Sequence, residues 1–292
     1  TNAILWYETY SKSFMLHSTP IEVSDLFKKY TNNFEASWIF TSATLQVNKK
    51  FNHFSDALGL ENFESGAWLS PFDYEKQSLL YLPDDLPEPS DYSYTHALLE
   101  KVLPVLKASH GGAFLLFTSY RAMNEAKEFL LDKLDCSVFI QGDLPKHQLL
   151  ARFREAGDAI LLGTFSFWEG VDVRGKALSC VVIDKLPFAS PGDPVMQARI
   201  DAIKNNGGQP FMDYQIPRAV IALNQGVGRL IRDVDDHGVV VIGDPRLTSK
   251  AYGRVFKNGL PPMPITTQIS DVERFFEVKN TEVQHEPETA GA

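Results

Sequence analysis

Cysteine is nearly missing from this chain of 292 residues: Cys136 and Cys180 stand alone in apolar surroundings, with no Cys-x-x-Cys pair. That excludes a disulfide framework and a thiolate metal centre, and it points to a reducing cytosol. No apolar run is long enough to span a bilayer, and no basic-then-apolar leader opens the sequence. Positive charge is also in deficit. Lys and Arg number 28 against 37 Asp and Glu, a formal net charge of −9, so no overall basic field advertises nucleic acid and any such binding is confined to a local groove. The seven histidines show no His-Glu-x-x-His or other ligand spacing, and there is neither a Gly-x-Ser-x-Gly elbow nor an internal repeat. A phosphate-binding loop is missing too. The run from Gly170 to Gly175-Lys176-Ala177 approaches one, but Ala177 has no hydroxyl for magnesium, Val171 and Val173 crowd an anion nest, and a strand begins at 178 where a helix is required. No acidic box that could hold magnesium closes a strand elsewhere. The opening Thr-Asn-Ala, running straight into a strand-like stretch, reads as a cut end.

What is present is enough for a large core: 44% of the residues are hydrophobic and 22% charged, which fits one big domain or two small ones. Short strands are expected at 4–10 and 14–17, a helix over 23–34, a buried strand at 37–40 and a helix near 49–58, followed by an irregular excursion over 62–76. A strand at 78–82 precedes the acidic, proline-rich loop 83–89. Thereafter strands at 113–118, 137–140, 159–163, 179–184 and 239–242 alternate with helices at 95–107 (where Pro104 could kink), 123–134, 145–154, 194–205 and 211–232. Short Val, Ile and Leu runs separated by helices imply an α/β fold, a parallel sheet covered on both faces. A short helix at 272–278 precedes a polar tail, 279–292, expected to be disordered.

The chain is organised around the end of the 211–232 helix. At 100° per residue Gln225, Gly228, Arg229 and Arg232 share one face, while Val220, Leu223, Val227, Leu230 and Ile231 take the other. Two guanidiniums beside a bare glycine suit phosphate oxygens, and a solvated arginine face is the plain alternative. A helix feeding a buried parallel strand is expected to turn its polar face to the sheet edge where ligands sit in open α/β folds. Three strand ends carry further polar groups. Thr164, Ser166, Glu169, Gly170 and Asp172 follow the strand at 159–163, where Trp168 could equally be a buried anchor. Thr118, Ser119 and Arg121 stand at a helix start, either as phosphate donors or as a simple cap. Thr41, Ser42 and Thr44 end the 37–40 run as a cap or a relay.

In this order the stretches resemble the second motor domain of a superfamily-two DNA helicase of the XPD-like group, DinG/YoaA branch. Thr41-Ser42-Ala43-Thr44-Leu45 is similar to motif III, Phe117-Thr118-Ser119-Tyr120-Arg121 to motif IV, Glu169-Gly170-Val171-Asp172 to motif V, and Gln225-x-x-Gly228-Arg229-x-x-Arg232 to motif VI, closed by Gly243-Asp244-Pro245-Arg246-Leu247. The resemblance implies a RecA-like sheet over 46–278, with 1–45 at the border of a first motor domain. It implies that Arg229, Arg232 (the better arginine-finger candidate) and Gln225 act on ATP, with Glu169, Gly170, Asp172 and Gly228 lining the nucleotide. Thr118, Ser119, Arg121, Thr164 and Ser166 would hold single-stranded DNA, and Thr41, Ser42 and Thr44 would couple the two. Magnesium, the phosphate-binding loop and a four-cysteine iron–sulfur cluster would belong to the first motor domain, and the setting would be the bacterial cytoplasm. The chain alone is then expected to be inactive as an ATPase. The other reading is a non-catalytic nucleic-acid or protein-interaction module that keeps the fold.

Overall fold

Apolar runs too short for helices become strands buried on both faces. Ala113-Phe114-Leu115-Leu116-Phe117 and Gly238-Val239-Val240-Val241-Ile242 are buried at every position, the pattern of a parallel sheet covered by helices on each side. The computed structural model describes residues 3–164, 167, 177–190 and 192–285. It divides into two units, Thr1–Trp68 with Phe188–Ile221, and Leu69–Pro187 with Ala222–Ala292.

The first unit holds the hairpin β1 (Ala3–Thr9) and β2 (Phe14–Pro20), then α1 (Ser24–Thr31) and α2 (Asn52–Leu58). The second opens with α3 (Tyr74–Gln77), β3 (Ser78–Tyr81), α4 (Tyr94–Ala108), β4 (Ala113–Phe117), α5 (Tyr120–Leu131), β5 (Val138–Ile140), α6 (Lys146–Ala156), β6 (Ile160–Thr164) and β7 (Cys180–Ile183). The chain returns to the first unit for α7 (Pro194–Asn205) and a π-helical turn, Phe211–Gln215. Helix α8 (Ile216–Val227) crosses the division, and β8 (Gly238–Ile242), α9 (Arg246–Ser249), α10 (Gly253–Gly259), β9 (Ile265–Thr266) and α11 (Ile269–His285) complete the second unit. Among the described residues the large sheet has seven strands in the order β5-β6-β4-β7-β8-β3-β9, every pair parallel. One core, including Leu98, Val102, Leu115, Leu162, Val182, Val241 and Phe276, joins α4 and α11 to the sheet. Pro104 lies inside α4, which continues to Ala108. Cys136 and Cys180 are free thiols, and burial pushes Cys180 up to about 12.

Three of the differences from the sequence reading matter most. Residues 37–40 form no strand: Ile39 is 85% exposed, and Trp38 instead meets the rings of Phe27, Tyr30 and Phe34 at 6.0–6.3 Å. An apolar run reads alike whether it pairs in a sheet or lies on aromatic side chains. Helix α11 starts earlier than 272 and runs to His285, so 279–285 is helical. The 211–232 helix is a π turn followed by an α-helix that stops at Val227. Past that point the N–H groups of Arg229 and Leu230 fall back to carbonyls three residues earlier, and the buried Asp236 carboxylate accepts the N–H groups of Arg232 and Asp233, each at 2.8 Å. A side chain thus replaces the helix carbonyls, and Gly226 and Gly228 lower the cost of leaving the helix. The apolar set Val220, Leu223, Val227, Leu230 and Ile231 is buried, as its spacing predicts.

Between α4 and β4 the chain turns through Gly111 at φ +87°, where an added Cβ would lie 1.7 Å from the Asp158 carbonyl oxygen. Gly142 also has positive φ, +105°, with nothing within 4 Å of its would-be Cβ. Gly111→Ala is therefore expected to cost about 3 kcal/mol or more in urea denaturation, and Gly142→Ala only about 1 kcal/mol, the backbone contribution alone. Equal losses would show that the close approach to Asp158 does not matter.

Candidate functional site

Parallel strands end at one edge, and here the ends of β6, β4, β7 and β8 lie side by side, with Thr164, Thr118, Asp184 and Asp244 at or just past them. Thr164 closes β6 and is buried. Its N–H and hydroxyl both donate to Gln141 Oε1, at 2.6 and 2.8 Å. Gln141 follows β5, and its Nε2 donates to the Tyr120 hydroxyl at 3.1 Å, tying the end of β6 to the first residue of α5. Thr118 follows β4. Its N–H donates to Asp184 Oδ1 at 3.0 Å and its hydroxyl to Oδ2 at 3.3 Å. Ser119 caps α5, accepting the Ala122 N–H at 3.2 Å. Arg121 is exposed, its guanidinium 5.8 Å from the ring centre of the exposed Tyr92.

Asp184 follows β7 and is almost completely buried. Besides Thr118 it accepts the Lys185 N–H at 2.7 Å, with Lys185 Nζ 4.0 Å away, and the Tyr94 hydroxyl donates to its carbonyl. Burial outweighs Lys185 and these hydrogen bonds, and the carboxyl is pushed up to about 7. Burial, with Asp184 second, likewise raises the Tyr94 phenol. Next along the edge the buried Asp244 accepts the Leu186 N–H at 2.8 Å and the Arg246 N–H at 2.9 Å, and it grips the Arg246 guanidinium through Nη2 at 2.6 Å and Nε at 2.9 Å. Two buried carboxylates therefore fix the loops after β4, β7 and β8.

The arginine segment sits at the opposite edge, contrary to the expectation that its polar face would reach the edge where the strands end. The reason is topological: residues 228–237 lead directly into the start of β8. Gln77, at the start of β3, confirms it by donating through Nε2 to the carbonyls of Asp233, Val234 and Asp236 at 2.9–3.1 Å. Arg229 and Arg232 are half-buried in the turn after α8, Gln225 is half-buried on its last turn, and Gly228 is exposed. An added Cβ at Gly228 would meet only the Asn224 carbonyl oxygen within 4 Å, at 3.0 Å, so the backbone there lies open to close approach. The expected sites at Ser166, Glu169, Gly170 and Asp172 lie outside the described residues. Thr41 and Ser42 are exposed in the first unit, where Ser42 Oγ lies 3.1 Å from Thr44 Oγ1 and accepts the Thr44 N–H at 3.1 Å, a local turn.

Thr118, Ser119, Arg121 and Thr164 are thus gathered on one edge, with the hydroxyls of Thr118 and Thr164 turned inward as fasteners and Arg121 facing out. Sequence reasoning missed Gln141, Asp184 and Asp236 as site residues. The available signal was position: a polar residue directly after a strand, as at Gln141 and Asp184, stands at the edge.

Comparison with known proteins follows the same outline. The helicase C-terminal domain model matches residues 102–263. The chain is 47% identical over 274 residues to the ATP-dependent DNA helicase YoaA of Haemophilus influenzae, and 46% identical over 276 residues to that of Escherichia coli, covering 94% of this chain and 43% of each relative. It is 36% identical over 263 residues to the ATP-dependent helicase DinG of Mycobacterium tuberculosis, covering 88% of this chain and 39% of that protein. The chain therefore spans less than half the length of these relatives. Among solved structures, an XPD helicase superposes with a TM-score of 0.66 at 17% identity, over 91% of this chain and 48% of that one, a likeness of fold.

Proposed function

The chain belongs to the helicase C-terminal domain family, and from that premise we propose that it is the C-terminal motor half of an ATP-dependent DNA helicase of the DinG/YoaA branch, working in the bacterial cytoplasm. The observation that carries this reading is near-half identity over 94% of the chain to proteins named for that activity. On this reading residues 46–278 are the second RecA-like domain, which α11 extends to His285, and 1–45 border the first motor domain.

The two edges of the sheet take two ligands. Single-stranded DNA lies along the edge where β4 and β6 end. Arg121 supplies the outward charge, Thr118, Ser119 and Thr164 hold the loops in place, and Ser166 adds a hydroxyl. ATP meets the other edge. Arg229 and Arg232 present guanidinium forks to its terminal phosphate, Gln225 reports nucleotide state, and Gly228 lets the phosphate approach the backbone, with Glu169, Gly170 and Asp172 completing the lining. The open backbone at Gly228 fits a phosphate. Other parts of the catalytic set do not fit this chain. On this reading magnesium is held through the first motor domain, with the phosphates of the nucleotide. One half-buried and one fully buried thiol do not make a four-thiolate iron–sulfur site. Thr41, Ser42 and Thr44 couple the DNA and ATP ligands.

The reading is tested by comparing the chain with the full-length protein. The chain alone is expected to bind a labelled oligothymidylate and release no phosphate from ATP, whereas the full-length protein turns ATP over and single-stranded DNA stimulates it. Turnover by the chain alone, or a full-length protein indifferent to DNA, sinks it.

A further inference from the structure

The first unit carries a cluster of hydrogen-bond donors with no matching acceptor. Arg199 of α7 donates through Nη1 to the Tyr214 hydroxyl at 2.7 Å, and Arg218 of α8 donates through Nη1 to the same oxygen at 3.2 Å. Both guanidinium carbons also lie over the Tyr214 ring, 5.9 and 5.3 Å from its centre. A phenol oxygen that accepts two N–H bonds has its lone pairs engaged, which leaves its own proton to point elsewhere. Among the described residues that proton has no acceptor, Arg199 Nε is buried without a partner, and neither guanidinium is paired with a carboxylate. The acids on the same elements are engaged elsewhere. Asp193 caps α7 by accepting the Met196 N–H, Asp201 accepts from Gln197, and Asp213 accepts the Gln209 N–H at 2.6 Å. Two like charges held on one oxygen, in a protein of net charge −9, repel each other unless an anion joins them.

The local backbone is unusual as well. Tyr214 sits in the π-helical turn Phe211–Gln215, a rare form frequently met at functional sites, and is four residues before Arg218 on a continuous helical path. At the start of that turn Phe211 is 40% exposed and stacks on Phe188, with ring centres 5.7 Å apart and planes 23° apart. A donor-only basic pair next to exposed aromatic surface is the chemistry that follows a single strand, charge for the backbone and rings for the bases.

We propose that Arg199, Arg218 and the Tyr214 hydroxyl form a phosphate-binding site in the first unit, and that the phosphate it takes is a phosphodiester of single-stranded DNA. The site is distinct from the strand-end edge in the second unit. Its DNA identity rests on the helicase reading; the phosphate chemistry does not. Three converging donors match a tetrahedral oxyanion, and the planar guanidiniums supply bidentate contacts that lysine would not.

The test uses the whole chain. Binding of a labelled oligothymidylate is followed by anisotropy across a salt series, with thermal melting in inorganic phosphate as a second arm and circular dichroism as the check on folding. Arg199→Ala and Arg218→Ala are each expected to weaken DNA binding about tenfold. Each should also lower the slope of log affinity against log salt by about 0.7, since one phosphate fewer is neutralised. Tyr214→Phe keeps both charges but loosens them, so affinity falls with the salt slope unchanged. Folded arginine variants with unaltered affinity and slope overturn the proposal. If the wild-type chain binds no DNA, yet phosphate raises its melting temperature and not that of Arg218→Ala, the phosphate site stands while its DNA identity and the helicase reading fail. If DNA does not bind and phosphate gives no shift, both are overturned. Equal competition by polyglutamate identifies a carboxylate site and overturns the phosphate assignment.

Discussion

Arg232→Ala in the full-length protein is expected to lower DNA-stimulated ATP turnover by about 10³-fold, the scale on which an arginine finger stabilises charge spreading over a transferring phosphoryl group. Arg232→Lys should recover little, because an ammonium replaces a planar fork with a point charge. The fold should survive either change, since the Arg232 backbone N–H, which both variants keep, makes the hydrogen bond to Asp236 in this turn. Oligothymidylate affinity should survive too, because the strand-end loops of the second unit lie at the other edge of the sheet. Arg229→Ala is expected to give a comparable loss. The measurement is phosphate release at saturating single-stranded DNA, with affinity measured separately. Turnover within threefold of wild type in a folded Arg232→Ala protein would remove the arginine turn from the ATP site.

The second large effect is on stability. An unfolded aspartate titrates near ~3.9, whereas burial pushes Asp184 up to about 7 in the folded chain. Between those values the folded state holds a proton that the unfolded state has released. Stability therefore falls as pH rises through that window and is best at its acid end, with respect to this group. A displacement of that size corresponds to about 4 kcal/mol between pH 4 and pH 7. Asp184→Asn should remove this contribution while retaining a carbonyl to accept the Thr118 and Lys185 N–H groups. The Thr118 hydroxyl can rotate to accept from the new amide. Urea denaturation at pH 5 and pH 8 should show a wild-type stability difference shifted by a few kcal/mol relative to the variant, with the variant gaining at pH 8. Identical pH dependence in the two proteins would mean that Asp184 is charged throughout this range.

Much of the second unit was legible because parallel strands covered on both faces must be apolar at every position. The runs at 113–117 and 238–242 could hardly be read otherwise, and they placed Thr118 and Asp244 at strand ends without further information. Residues 37–40 carry the same signal with a different outcome: the run is apolar, yet its backbone joins no ladder and Ile39 is 85% exposed. The arginine turn failed for another reason. Helical periodicity continues smoothly from 220 to 232, but the helix ends where Asp236 captures N–H groups from four and three residues before it, a nonlocal event that periodicity cannot register. Its edge of the sheet was deducible all the same, because whatever leads into a parallel strand must stand where that strand starts. Gln141 and the Arg199–Tyr214–Arg218 cluster depend on side chains from separate elements meeting, and no single stretch of sequence contains them.

The large sheet tapers at both flanks. Its outermost members, β5 and β9, have three and two residues, so a foreign strand would find almost no free ladder to join there. The β1–β2 ribbon is built the other way, with seven residues in each arm and Leu5, Tyr7, Phe14 and Leu16 facing solvent. Any self-association of the purified chain at high concentration is expected to draw on the hairpin sooner than on the flanks of the sheet. Charged replacements on that ribbon, far in sequence from the arginine turn, are where its solubility can be adjusted.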